Sequence, residues 1–230
     1  MIILLSHPIS MVNPAYGNPT KTLDWKQTKS IPKGDSCNSY SIVIENHIGT
    51  HVDAPAHFFE GGRKIAEYEP AYWHFKNVQI IDVALEEGQL LSKIEIEHEV
   101  KADIEILLLR SGWSKKRGEL SYSNCNPGIL PEVATWLRTD YPNVRCLGMD
   151  WISVSSYMHR DIGRQAHCAF LNPDEHGEPI LLLEDMFIPL DNYKLVEVLV
   201  APFMIDCIDS APVTVYGIRR DSDDDKKEDS

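Results

Sequence analysis

Apolar residues recur along this chain in short runs separated by turn-forming residues, and few segments carry a helical period. Ile2–Leu5 is a compact apolar run and predicts a short buried strand. Ser39–Glu45 (SYSIVIE) alternates in polarity, as a half-buried strand does. Further strands are predicted at Asn77–Val83, Ile104–Leu109, Arg145–Met149, Pro179–Leu183, Leu195–Pro202 and Val213–Ile218. The continuous apolar stretch of Ile104–Leu109 suits a central strand covered on both faces. Pro131–Arg138 opens on proline, carries Glu132 in its first turn and ends on arginine, which predicts a helix. Residues 160–171 (RDIGRQAHCAFL) predict a second helix carrying His167. Residues 11–36, rich in Pro, Gly, Asn and Lys, read as a long loop. Strands outnumber helices and no repeat or linker intervenes. The pattern predicts an α/β or α+β fold with one domain over residues 1–220.

Composition narrows the partners. The 230 residues are ample for a sizeable core, and 43% hydrophobic with 25% charged residues is ordinary for a globular chain. A net charge of −13 argues against non-specific binding to nucleic acid or anionic membranes. Residues 221–230 (DSDDDKKEDS) offer no apolar group to bury and are expected to be a disordered acidic tail. The five cysteines Cys37, Cys125, Cys146, Cys168 and Cys207 are widely spaced and contain no CxxC. With an odd count, that argues against a disulfide framework and a zinc ribbon. Cys146 and Cys207 lie in apolar runs and are expected in the core. The N-terminal MIILLSH lacks a basic region and its apolar run is too short for a signal peptide. No apolar stretch approaches membrane-spanning length. A cytoplasmic setting is expected.

One segment concentrates chemistry. His47, His51, Asp53 and His57 fall within eleven residues. Imidazole with carboxylate suits a borderline divalent cation, zinc first and manganese second. All four are odd-numbered and would project from one face of a strand. A straight strand still fails, because four extended residues span about 13 Å, whereas two ligands of one zinc each sit ~2 Å from it. The chain must bend between His47 and His51, and Gly49 permits that. Gly49, Thr50 and Val52 disfavour a helix and Pro55 would end one. His167 and Glu184 are the candidate ligands from elsewhere, each polar beside an apolar run. His51-Val-Asp53 with a remote histidine also fits the His-x-Asp…His triad of non-haem iron oxygenases. A metal-binding protein without catalysis is the third reading.

The cluster HIGTHVDAPAHF (His47–Phe58) resembles the signature of the metal-dependent cyclase and kynurenine formamidase family, which includes isatin hydrolase. LLSHPI (Leu4–Ile9), LLLRSGW (Leu107–Trp113), PGIL (Pro127–Leu130), LGMDWISV (Leu147–Val154), ILLLED (Ile180–Asp185) and APFMIDCIDSAPV (Ala201–Val213) extend the resemblance over nearly the whole chain. It implies an α/β fold of the swivelling β/β/α type, a mixed sheet with few helices, and a homodimer or larger homo-oligomer. It also implies a hydrolase of an amide C–N bond, N-formylkynurenine or a cyclic amide being the expected kind of substrate. Under it, His47, His51 and Asp53 hold one metal ion, and Asp53 bridges to a second held by His167, with Glu184 able to touch both. His57 takes the general acid/base role. Tyr16 and Phe59 are expected to contact substrate, with Phe58 and Trp73 as further pocket aromatics. Three departures stand out. His167 and Glu184 are 17 positions apart, with NPDEHGEP (Asn172–Pro179) looking like an insertion, so Glu178 is the alternative carboxylate. The family's early turn appears as Pro14-Ala-Tyr16-Gly-Asn-Pro19. Thr214 stands where the family often has an arginine that meets a substrate carboxylate.

Overall fold

The computed structural model describes residues 1–175, 177–191 and 193–220. The expected acidic tail at 221–230 lies outside the described residues. In chain order the first strands are β1 (Ile2–Leu4), β2 (Val12–Ala15), β3 (Asn18–Thr22), β4 (Asp24–Lys29) and β5 (Ser39–Val43). Then come β6 (His51–Asp53), β7 (His74–Phe75), β8 (Val78–Asp82), β9 (Leu90–Leu91) and β10 (Ile106–Arg110). The last are β11 (Gly128–Ile129), β12 (Cys146–Met149), β13 (Leu181–Glu184), β14 (Lys194–Pro202) and β15 (Ser210–Arg220). The α-helices are α1 (Leu120–Asn124), α2 (Pro131–Asp140) and α3 (Arg160–Leu171).

A nine-stranded mixed sheet runs β7–β14–β15–β6–β13–β12–β10–β8, with β1 added on β15. The strands β8, β10, β12 and β13 are parallel, and β6 joins them antiparallel to β13. This is the expected α/β class with a mixed sheet and few helices. The apolar runs ILLL of β10 and LLL of β13 are buried at every position, because helices and loops cover that part of the sheet on both faces. β7 and β8 stand at opposite ends of the strand order, yet only Lys76 and Asn77 separate them in the chain. The three Cα–Cα steps from Phe75 to Val78 reach at most about 11 Å, so the sheet curls until its ends approach. β1 pairs with β15, which brings the two ends of the described chain together.

α2 turns Val133, Ala134 and Leu137 inward. Its Arg138 is buried and donates to the carbonyls of Ala169, Asn172 and Gly177, fastening α2 to the end of α3 and to the inserted loop. Residues 11–36 are not the expected loop. They form the β2–β3 hairpin and β4, which pairs antiparallel with β5. All of β4 is exposed, so no buried face imposed a hydrophobic alternation that could be read. Cys146 is buried as expected, but Cys207 is exposed, because the turn before β15 carries it out of the core.

Candidate metal centre

β6 forms the floor of the site. Val52 turns to the core while its neighbours His51 and Asp53 share the other face. In the antiparallel register Glu184 of β13 lies opposite His51, and Ser210 of β15 lies opposite Asp53. Two acids and one imidazole thus meet at adjacent strand positions. Gly49 makes the inferred bend, with φ at +65°. Beyond it His47 folds back, its Nδ1 3.3 Å from Asp53 Oδ1. After β6, Pro55 opens a single 3₁₀ turn, Pro55–His57, that swings His57 over the same centre. The His57 ring centroid is 4.4 Å from that of His47 and 6.1 Å from that of His167.

α3 supplies His167, with Nε2 3.4 Å from Glu184 Oε1 and 3.8 Å from Asp53 Oδ2. The helix seats this closely because residue 163 is glycine. A Cβ there would stand 2.2 Å from Ser155 Oγ. The Gly163 carbonyl also lies 3.0 Å from His167 Nδ1.

The hydrogen bonds behind the centre decide what it needs. His51 Nδ1 lies 2.8 Å from the Gly49 carbonyl and His167 Nδ1 meets the Gly163 carbonyl, so each must present N–H on that side. Each neutral ring then turns a bare Nε2 lone pair toward carboxylates. His51 Nε2 is 3.4 Å from Glu184 Oε2 and 3.7 Å from Asp53 Oδ1. Lone pair against carboxylate repels unless a proton or a cation lies between. Both oxygens of Asp53 are buried without a hydrogen-bond partner, which is costly for a carboxylate unless positive charge meets it. Glu184 is better held: its Oε1 accepts from Ser153 Oγ and Val154 N–H while also facing His167, and its Oε2 faces His51.

The electrostatics repeat this conclusion. Burial would lower the His51 pKa, but Glu184 and Asp53 outweigh it and push it up to about 9. Burial also opposes protonation of His167, and Glu184 with Asp53 raises it all the same. Burial would raise Glu184, yet His167 and His51 hold it well below the usual carboxylate range. Asp53 is lowered against burial by His47 and His51. Buried carboxylates facing buried imidazoles are the donor chemistry of a divalent metal site, and the residues present fit one.

The centre opens into a cavity of about 770 Å³ lined by Tyr16, His47, His57, Phe58, Arg160 and Arg164 among others. Tyr16 packs edge-on against Tyr157, their centroids 5.2 Å apart. Phe59 is not in the lining. It packs against the core, and Phe58 takes the cavity side, stacked on His167 at 4.9 Å. Both rings follow the turn, Phe58 as its cap, and only Phe58 reaches the cavity. Trp73 is buried among Tyr68 and Tyr72, away from the cavity. Glu178 is exposed and borders a different cavity, which leaves Glu184 as the carboxylate at the centre. Thr214 is exposed on β15.

Two supports were not read from the sequence. Asp209 Oδ2 stands 3.1 Å from His57 Nδ1, and its backbone carbonyl accepts from Ala54 N–H at the end of β6. Only its place beside Ser210 in the CIDSAPV run hinted at this. Asp185 follows Glu184 in the left-handed region, φ +51°, and its buried carboxylate accepts from Arg117 and from the Tyr122 hydroxyl. Thr50 Oγ donates to the Asp185 carbonyl, which ties the turn after β13 to the turn before β6.

Comparison with known proteins gives the family. The family model described as "Putative cyclase" matches residues 3–156, more than half of the chain, and the chain belongs to that cyclase family. A kynurenine formamidase of Bacillus cereus is 26% identical over 191 residues, 83% of either chain. An uncharacterized protein of Haemophilus influenzae is 32% identical over 127 residues, 52% of this chain and 89% of that one. Among solved structures, isatin hydrolase A from Labrenzia aggregata superposes with a TM-score of 0.76 at 21% identity, covering 94% of this chain and 93% of that one. Isatin hydrolase A from Ralstonia solanacearum gives 0.72 at 18% identity, covering 94% and 91%. These structures share the fold.

Proposed function

We propose that this chain is a metal-dependent hydrolase cleaving an amide C–N bond, in an aryl formamide such as N-formylkynurenine or in a related cyclic amide. The observation that carries the reading is the pair of imidazoles, His51 and His167, whose Nε2 atoms face Asp53 and Glu184 at the bottom of an open cavity. His47, His51 and Asp53 would hold one ion. Asp53, His167 and Glu184 would hold a second where two are bound. Imidazole-rich donors favour zinc, with manganese next. Glu184 is one ligand more than an iron triad of His51, Asp53 and His167 uses, which favours hydrolysis over oxygenation. Bound there, a divalent cation supplies Lewis acidity and brings the pKa of water from ~16 toward ~7.

The chain's own residues do the rest. His57 is fixed through Nδ1 to Asp209, which leaves its other nitrogen to take a proton from attacking water and return it to the leaving nitrogen. Imidazole suits both steps because it exchanges protons near neutral pH. Phe58 and Tyr16 give the cavity aromatic walls for a planar substrate. Relatives named kynurenine formamidase and fold neighbours named isatin hydrolase support amide chemistry. The chain acts as a homodimer or larger homo-oligomer, a reading supported by Trp25, Tyr40 and Ile42, exposed on the β4–β5 ribbon. Five free cysteines support a reducing, cytoplasmic setting. No helix among the described residues is long and apolar enough to cross a membrane.

Elemental analysis of the purified protein, with a hydrolysis screen including N-formylkynurenine and isatin, tests the reading. Zinc or manganese together with cleavage of an amide is the expected result. A metal-loaded protein that cleaves nothing in a broad amide and lactam panel would make it a binding protein. Bound iron with oxygen uptake would make it an oxygenase.

A further inference from the structure

We propose that Arg160 and Arg164 select substrates that carry a carboxylate, held at the cavity mouth away from the bond that is cleaved. Arg160, Arg164 and His167 follow the i, i+4, i+7 pattern that places residues on one stripe of a helix. All three line the cavity. At 1.5 Å per residue, Arg164 lies about 4.5 Å and Arg160 about 10.5 Å along the axis from His167. α3 thus runs as a ruler from the metal-type centre to the cavity mouth.

Each guanidinium lies near an aromatic wall. The Arg160 carbon is 5.5 Å from the Tyr157 ring centroid, and the Arg164 carbon is 5.6 Å from that of Phe58. A guanidinium over a ring keeps its edge N–H donors available for a planar carboxylate. No carboxylate among the described residues forms a salt bridge with either one, whereas Arg110, Arg117, Arg138 and Arg145 each have an acidic partner. The acids Glu45 and Asp161 border the same mouth. Asp161 would repel a phosphate more strongly than a singly charged carboxylate. The ligand class is therefore an aromatic amide whose carboxylate lies away from the scissile carbonyl, toward the Arg160 end of α3. This deepens the hydrolase reading of the same cavity and rests on it for the nature of the reacting bond.

The test compares an acid with its methyl ester, in binding and in turnover. 3-Phenylpropanoate and its methyl ester are titrated calorimetrically into zinc-loaded wild type, R160Q, R164Q, R160Q/R164Q and R160K/R164K. Hydrolysis of 3-(2-formamidophenyl)propanoate is compared with that of its methyl ester in the same proteins. The wild type should favour the acid by about tenfold, the factor that corresponds to 1.4 kcal/mol. The ratio should fall to about threefold or less in R160Q/R164Q, with the single and lysine variants between, and should shrink as salt rises. Both arginines are exposed, so thermal melting should report a folded double variant. An acid-to-ester ratio unchanged in R160Q/R164Q overturns the proposal, and is the result expected if the carboxylate binds the metal instead. Arginine-dependent binding without turnover keeps the proposal and rejects the hydrolase reading. Turnover with an arginine-independent ratio does the reverse.

Discussion

At the floor of the cavity His51, Asp53, His167 and Glu184 are each no more than 6% exposed. Both imidazoles are pinned from behind by backbone carbonyls, and Glu184 is held by Ser153 and Val154. At the rim Tyr16, Arg160 and Arg164 are exposed, and His47 and His57 are half-buried. Their links are an aspartate, a serine hydroxyl and ring contacts rather than strand register. The floor is placed by the fold, so changes there should remove the metal and the stability it lends. The rim is placed by side-chain contacts, so changes there should alter chemistry and selection while metal stays, except at His47, which reaches down to Asp53 as a ligand.

The largest effect should come from Asp53→Asn. The substitution takes a negative charge from a buried centre that faces imidazoles. Metal content and turnover should fall together to background. A ligand that binds only the folded state adds about 2.7 kcal/mol at one hundred times its Kd. The melting difference between metal-loaded and chelator-treated protein should therefore be clear in the wild type and absent in the variant. A preserved difference would show that the metal sits elsewhere. Next comes His57→Ala, which should lower kcat by about 10²–10⁴-fold, the usual worth of a general acid/base.

These two residues also mark what was legible in the sequence. Spacing brought out His47, His51, Asp53 and His57, and Gly49 as the bend, because ligands on one short segment leave a local pattern. The strand runs were legible wherever a buried face imposed a period, as in β10 and β13. β4 had no such face and was hidden. Phe58 and Phe59 could not be told apart, since only the backbone path after the Pro55–His57 turn decides which ring faces the cavity. Asp209 and Asp185 act across 152 and 63 positions of sequence, on His57 and Tyr122, and left no local trace. Gly163 reads as a poor helix residue until Ser155 is seen against it.

That glycine sharpens the comparison. Gly163→Ala improves helix propensity by about 1 kcal/mol, yet its new Cβ would collide with Ser155 and lift His167 from the floor. Metal affinity should weaken about 10–100-fold, the range seen when groups behind a ligand are disturbed. Unchanged affinity in a metal titration would mean that α3 seats without the close contact.

Proton release should follow the floor rather than the rim. In the metal-free protein His51 keeps its proton up to about pH 9, because Glu184 and Asp53 outweigh burial. A metal requires the neutral ring. Below that pH uptake must displace the proton, so apparent affinity should rise with pH toward about 9 and fall as pH drops. Calorimetry in buffers of different ionisation heat would read the protons released, and release of none at pH 7 would contradict the assignment. The smallest effect is expected at Tyr16→Phe. Burial pushes the Tyr16 hydroxyl up to about 12, so it remains a neutral donor. Losing one such hydrogen bond costs about 0.5–1.5 kcal/mol, or roughly 2–10-fold in KM.

The division between floor and rim turns most sharply on His57, because a nitrogen of its ring comes within 4.8 Å of donor atoms of His47 and Asp53. Metal content of His57→Ala, measured beside His51→Ala and the wild type after identical loading, is the direct test. The account predicts wild-type metal content with turnover lost in His57→Ala, and loss of both in His51→Ala. Metal missing from His57→Ala would make His57 a ligand and contradict the account.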